Sequence, residues 1–535
     1  MGRTSQALKV GAQGVFYLAI LALLVSNSVS ANFSHDENQF IAPGQLLAYH
    51  GLFPYVDYPY THMPYGAFFY AISALASDFD FLAGRLMSCL AWLGCILLMV
   101  AISRAMRGGA GDPSTSPASW KQLLWEFLLV YVFVNHGPVL FVLGAALNHS
   151  LATLFSLLAA WFFVRGVQSD GLAHRAAFLS GACIAIAGLI RFNYASLVVV
   201  LLVCWLIRSV WLGMAQARQL LLRYAGGVLT ASLPVMVLIA LAPREFYYGN
   251  LVYIRLNTIY YKELLRTSGM DLAAKLSDFV NSILLQPLDL LLYAVLVYAA
   301  AASVVQLMRR RSTLDLARFS IAGIASALWL SGLAPTPALL HYFAAPIPFL
   351  IVLLLIFEFR LGRLERLARA LGILGVVVAS ATSIRLANPM DEFAVLLNPS
   401  QWLPVQVHEL AMSLKEHAAN GRILTLQPMI PMEAGYNVYP FTATGPFSWR
   451  TSLLLTPQRR MEYDVTSPQE LPALLTKYPP EAILVNFEAP NAGFERQDLG
   501  GLEIPFSDYA IAHGYKAVAL SPPFWPRGLT LWIRQ

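Results

Sequence analysis

Two carboxylates, Asp36 and Glu37, stand just past residues 10 to 30, an apolar segment long enough to cross a bilayer. An ionisable side chain at such a place is costly to desolvate, so it points to use. A carboxylate there can take a proton from a hydroxyl group, with Asp36 the expected base and Glu37 its catalytic neighbour. Cations suited to an anion lie further along the chain. Arg191 occupies an outward turn, against the charge bias of the other loops; Arg255, Lys262 and Arg266 interleave with tyrosines; His341 and Tyr342 open a late apolar segment. Arginine suits bidentate phosphate contact and lysine supplies a point charge. Asp57, His62, Asn148 and His149 complete the polar set expected to touch substrate. No His/Cys/Asp cluster has the spacing of a zinc site. No metal ligand is therefore assigned, and dependence on a divalent ion stays open.

Each of these residues also has a structural reading. The acidic pair would cap an interfacial helix, and Arg191 would snorkel to lipid headgroups. Tyr247, Tyr248, Tyr253, Tyr260 and Tyr261 would form an interfacial belt.

The elements that must position these side chains follow from composition. Of 535 residues, 57% are hydrophobic and 12% charged, against roughly 25% charged in soluble domains. A span needs roughly 20 apolar residues, and about eleven candidates precede residue 388. They cover 10–30, 82–103, 123–135, 139–164, 176–190, 195–212, 224–242, 286–308, 319–334, 343–360 and 370–387. Only helices satisfy their own backbone groups in lipid at this length and pattern, so a polytopic α-helical membrane protein is expected. The third span should break at "NHGP", where Pro138 lacks a donor. All four cysteines fall inside spans and read as small core residues.

The net charge of +6 does not indicate nucleic acid, because the basic residues cluster in alternate short loops. The positive-inside rule makes those loops cytoplasmic. With the first span retained, the N-terminus is then cytoplasmic, and the outer loops 31–80 and 243–285 and the tail 388–535 face outward. That arrangement predicts a cell inner membrane protein with a periplasmic C-terminal domain. Pieces such as "NQFIAPGQLLAYHG" are expected to lie along the interface, with Tyr and Phe at headgroup depth. In the tail, "GRILTLQ", "EAILVNFE", "YKAVALS" and "LTLWIRQ" read as strands, and "QVHELAMSLKEHAAN" and "SPQELPALLTKYP" as helices. In the latter, Ser467 caps, Pro468 takes the first helical position and Glu470 closes a capping box. A small α/β domain results. Its "YPFTATGPFSWR" stretch, with Gly445, Pro446, Trp449 and Arg450, suits either an acceptor-binding loop or a turn packed on the membrane face.

The first outer loop carries a family resemblance. Asp36-Glu37, a short helix ending at Gly51, Pro54-Tyr55-Val56-Asp57 and His62-Met63-Pro64 resemble the first outer loop of the GT-C glycosyltransferases. The branch it looks most like comprises the protein mannosyltransferases and lipid A aminoarabinose transferases. "LNHSLATLFSLLAAWFFVRG", "GACIAIAGLIRFNYASLVV" and "HYFAAPIPFLIVLLL" are similar to later spans of that family. One departure stands out: Asn148 or His149 holds a position where the family often has a second acidic residue.

The resemblance implies a GT-C-like transmembrane catalytic domain, 1–387, followed by the domain 388–535. It implies a single inverting transfer of a sugar from a polyprenyl-phosphate donor to a hydroxyl of a glycan, lipid or protein acceptor. Asp36 would be the base, and the cations named above would hold the departing phosphate. The other reading of this composition is a transporter or flippase of lipid-linked saccharides, whose marks would be paired broken helices and mid-span charges.

Overall fold

The computed structural model describes residues 2–108, 119–264, 270–309, 311–356, 394–487 and 501–535. Arg266 and the eleventh expected span lie outside them. In chain order the membrane-region helices are α1 Gly2–Ser30, α2 Asn38–His50, α3 Tyr65–Ala76, α4 Asp80–Gly108, α5 Trp120–Val134 and α6 Gly137–Leu143. Next come α7 Asn148–Gln168, α8 Ala173–Ile190, α9 Ser196–Leu212, α10 Met214–Leu241, α11 Pro243–Tyr247 and α12 Tyr253–Ile259. They end with α13 Leu272–Phe279, α14 Pro287–Arg309, α15 Thr313–Gly332 and α16 Ile347–Ile356.

Eight helices among the described residues are long and apolar enough to cross a membrane, or nine if the bent pair α5–α6 forms one span. The chain is an integral membrane protein. The expected fourth span, 139–164, is not continuous. Its first residues belong to α6, which starts with Pro138 in its first turn and sits at 71° to α5. Helix α7 begins only at Asn148. The intervening residues bend in to meet the first outer loop, where Ala146 donates its N–H to Glu37 Oε1 at 2.8 Å.

That contact belongs to the best satisfied polar group of the bundle. Arg85, near the N-terminal end of α4, and Glu37 are both fully buried. Arg85 Nε and Nη2 donate to the two Glu37 oxygens at 2.9 and 2.8 Å. The remaining guanidinium hydrogens go to the carbonyls of Ser28, Ala31 and Asn32. Ser34 and Glu37 close a capping box around the short 3-10 helix His35–Glu37. One ion pair thus joins the end of α1, the Asp36 turn, α4 and the α6–α7 connection.

Much of the first outer loop is buried against the rest of the protein, whereas the second alternates buried and exposed residues. Asn38 through Leu46 of α2 are buried, as are Tyr55, Tyr58, Tyr60 and Tyr70. Helix α2 crosses α3 so closely that a Cβ at Gly44 would come within 2.6 Å of the Tyr70 backbone. The second outer loop presses on the first at Gly249, where a Cβ would stand 1.9 Å from the Tyr60 carbonyl oxygen. In the second loop, Tyr247 is exposed while Tyr248, Tyr253 and Tyr260 are buried.

The tail holds a five-stranded sheet: β1 Arg422–Leu424, β2 Asn437–Val438, β3 Ala482–Val485, β4 Lys516–Leu520 and β5 Leu529–Ile533. Its order is β2-β1-β3-β5-β4, with β2, β1 and β3 parallel and β5 antiparallel to β3 and β4. The four expected strands are present and β2 is additional. The first expected helix forms as Leu403–Ser413 with a 3-10 turn after it. In the second, Glu470 accepts the Ser467 N–H at 3.0 Å, but the helix starts at Leu471 and not at Pro468.

Removing one partner of a buried ion pair strands the other charge, at a cost of roughly 3–5 kcal/mol. Arg85→Met should therefore lower the thermal unfolding temperature of the detergent-solubilised protein sharply. The double variant with Glu37→Met should recover part of that loss, and unfolding scans of the three proteins check this.

Candidate active site

Asp36 and Glu37 are neighbours in one 3-10 turn but meet different surroundings. Glu37 is fully buried with both oxygens occupied, whereas the Asp36 side chain keeps 36% of its exposure. The expected catalytic role of Glu37 is therefore corrected to a positioning one. A carboxylate holding a guanidinium and two backbone N–H groups has no room to accept a substrate proton.

Asp36 Oδ1 accepts a hydrogen bond from Gln39 Nε2 at 3.2 Å, one turn along. Gln39 Oε1 faces His62 Nε2 at 2.6 Å, and since that oxygen only accepts, the imidazole must donate. Burial pushes the His62 imidazole down to about 4, helped by the nearby Arg191 charge and opposed by Asp36. The backbone of His62 is fixed as well. The Tyr55 hydroxyl donates to its carbonyl, and Asn250 of the second outer loop donates to the Tyr55 oxygen at 3.1 Å.

Across from this chain stands a cationic and aromatic group. Arg191 caps the C-terminus of α8, and its Nη1 donates to Asn148 Oδ1 at 2.7 Å. Its guanidinium lies 5.2 Å over the Tyr342 ring. His341 stacks on Phe141 of α6 at 4.9 Å and approaches His149 to 5.4 Å. The bend between α5 and α6 thus delivers the ring on which His341 rests. Asp36 acts electrostatically on His62, Arg191, His341 and Tyr342, so these five residues share one neighbourhood with Asn148 and His149.

Other expected site residues lie apart. Asp57 accepts the Phe53 N–H through Oδ2 at 2.7 Å and closes its own turn. Arg255 and Lys262 are exposed and make no hydrogen bond or ion pair among the described residues. Arg266 lies outside the described residues. Gln39 and Arg85 are the residues that sequence reasoning missed. Arg85 breaks the positive-inside trend as Arg191 does, and that signal was available. Among the described residues no three His, Cys, Asp or Glu side chains converge as a metal site.

The overall architecture has counterparts among solved structures. ArnT from Cupriavidus metallidurans in the apo state aligns over 98% of this chain and 98% of its own, with 13% identity and a TM-score of 0.55. The same enzyme bound to undecaprenyl phosphate aligns over 99% and 98%, with 12% identity and a TM-score of 0.59. The chain has their fold. The alignment runs through the sheet-bearing tail as well as the helical part. No family model matches the chain, and no curated protein does.

The depressed His62 value carries a pH signature. An unfolded histidine titrates near 6.5, so between that pH and about 4 the unfolded chain binds a proton that the folded chain refuses. The stability this group contributes is complete above pH 6.5 and is lost as pH falls toward 4. His62→Gln, which keeps a donor for Gln39, should show a shallower fall in unfolding temperature over that window than the unaltered protein.

Proposed function

We propose that this protein is a membrane glycosyltransferase that moves a sugar from a polyprenyl-phosphate donor to an acceptor hydroxyl on the outer side of the membrane. The observation that carries this reading is a half-exposed Asp36, held by Gln39 and facing Arg191, on a fold shared with a protein solved with undecaprenyl phosphate.

The chemistry follows from the groups present. Asp36 takes the proton of the acceptor hydroxyl as its oxygen bonds to the anomeric carbon. The bond from that carbon to the phosphate oxygen breaks, and the sugar inverts. Arg191 has spent Nη1 on Asn148, and its other donors meet the charge that develops on the departing phosphate. Tyr342 and His341 line the same side. Neutral His62 orients Gln39, and Gln39 orients the Asp36 carboxylate toward the acceptor. Arg255 and Lys262, being exposed, suit lipid headgroups better than the reacting phosphate.

The topology completes the reading. Residues 1–387 are assigned to the catalytic domain and 388–535 to a periplasmic α/β domain, in an inner membrane with the N-terminus cytoplasmic. The buried Glu126 accepts from Arg104 and Arg107 on the loop side assigned to the cytoplasm, so two of the basic residues counted there are held in place by a carboxylate.

Asp36→Asn should fold, insert and bind polyprenyl phosphate normally, yet lose transfer by at least roughly 10²-fold, as expected for removal of a general base. Single-turnover transfer from polyprenyl-phosphate sugars by purified protein tests this. Turnover near the unaltered rate would remove Asp36 from the reaction.

A further inference from the structure

Arg450 is a strongly held cation near this site that the proposed reaction leaves unused. It follows Trp449 in the helix Pro446–Thr451, and the two side chains part company. The Trp449 indole donates to the Leu502 carbonyl at 2.8 Å and packs on Phe441 and Phe506 in the interior of the C-terminal domain. Arg450 turns to the second outer loop. Its Nη2 donates to Asn257 Oδ1 at 2.7 Å and to the Tyr253 hydroxyl at 3.2 Å. Its guanidinium lies 4.6 Å from the Phe447 ring, 5.2 Å from Tyr260 and 5.5 Å from Tyr261.

Every one of those partners is neutral. Nε is buried and has no hydrogen-bond partner, and Nη1 makes no hydrogen bond among the described residues. Aromatic faces attract a cation weakly, but a partly buried guanidinium with a buried, unpartnered donor normally acquires an opposite charge. Here it has none from a described carboxylate. Among the described residues the arrangement is a positive socket short of one anion.

Its position says whose anion. Phe447, under the guanidinium, meets the His35 ring at 5.6 Å, and His35 Nε2 lies 3.6 Å from Asp36 Oδ1. Arg450 therefore flanks Asp36 from the side of the C-terminal domain, while Arg191 flanks it from the end of the membrane helices. Both act on Tyr342 between them. A lipid donor arrives from the bilayer and presents its phosphate to Arg191. The substrate whose hydroxyl Asp36 deprotonates arrives from the other flank.

We propose that Arg450 binds an anionic group, a carboxylate or a phosphate, carried by the acceptor, so that the C-terminal domain selects acidic acceptors. This rests on the glycosyltransferase reading for the word acceptor, but the anion site itself can be tested without it. The full-length protein in detergent, with and without polyprenyl phosphate, is titrated with glucose, glucuronate and glucose 6-phosphate as probes. The expected result is at least about tenfold tighter binding of the two charged sugars, since a charge-assisted pair exceeds a neutral one. Arg450→Gln should abolish the preference and Arg450→Lys should keep part of it. Asn257→Asp retains the tether to the second loop while supplying the missing negative charge, and it should abolish the preference too.

Equal binding of the three sugars overturns the proposal. So does an Asn257→Asp variant that keeps the preference, because Arg450 would then serve only to tether the domain. If Arg450→Gln weakens polyprenyl phosphate as much as Arg191→Gln does, Arg450 belongs to the donor and the acceptor assignment falls. Failure of polyprenyl phosphate to bind the unaltered protein would instead sink the donor reading, and the lipid-free titration would still report on Arg450.

Discussion

The outer end of the bundle is organised by a guanidinium and a carboxylate that have both left water. All five Arg85 hydrogens are used, two on Glu37 and three on backbone carbonyls of the chain leaving α1. Glu37 in turn takes the Ala146 and Ser34 N–H groups. A buried pair is tolerable only with this degree of satisfaction. Because its members come from separate segments, satisfying it fixes those segments against one another. Asn148 starts α7 two residues after Ala146, so the partner of Arg191 is placed by the same pair that places Asp36.

This explains how two adjacent acids divide their work. In a 3-10 turn, successive side chains project about a third of a turn apart. Glu37 faces α4 and is locked. Asp36 faces Gln39, a neutral amide that orients without neutralising, and it stays accessible. The acid that holds the architecture and the acid that meets solvent are separated by one peptide bond. A uniform account of the pair as two catalytic carboxylates misreads the first of them.

Much of this was legible in the residues and some was not, for identifiable reasons. Spans with some 20 apolar residues announce themselves, and the strands of the tail show in short β-branched runs. The break before α7 does not, because "VLFVLGAALNHSLATLF" remains apolar across it and the bend is imposed by the distant Glu37. Strand β2 has two residues and too little pattern to detect. The tyrosines of the first outer loop looked interfacial since their hydroxyls are polar; Tyr55 and Tyr70 are buried with their hydroxyls donated to the His62 and Leu147 carbonyls, while Tyr58 and Tyr60 are buried by packing alone, their hydroxyls without a partner among the described residues. Ser34 with Glu37 is a capping-box pattern, which marks Glu37 as structural. Nothing local separates Gln39 from any other glutamine. Arg450 was visible as a residue but not as a charge without a partner, for that depends on which tyrosines fold over it.

The tail is not an appendage. Asn38, in the turn after Glu37, donates to Gln427 and accepts the Met429 N–H at 3.3 Å, while Glu433 takes the Phe81 N–H at the head of α4. Phe79 stacks on His408 at 3.8 Å. The outer loop and the sheet-bearing segment have therefore to be inherited together, as one cassette. A chimera that grafted a foreign tail onto this bundle would need a matching exchange of residues 31–80, and lineages that diversify one half should show compensating drift in the other.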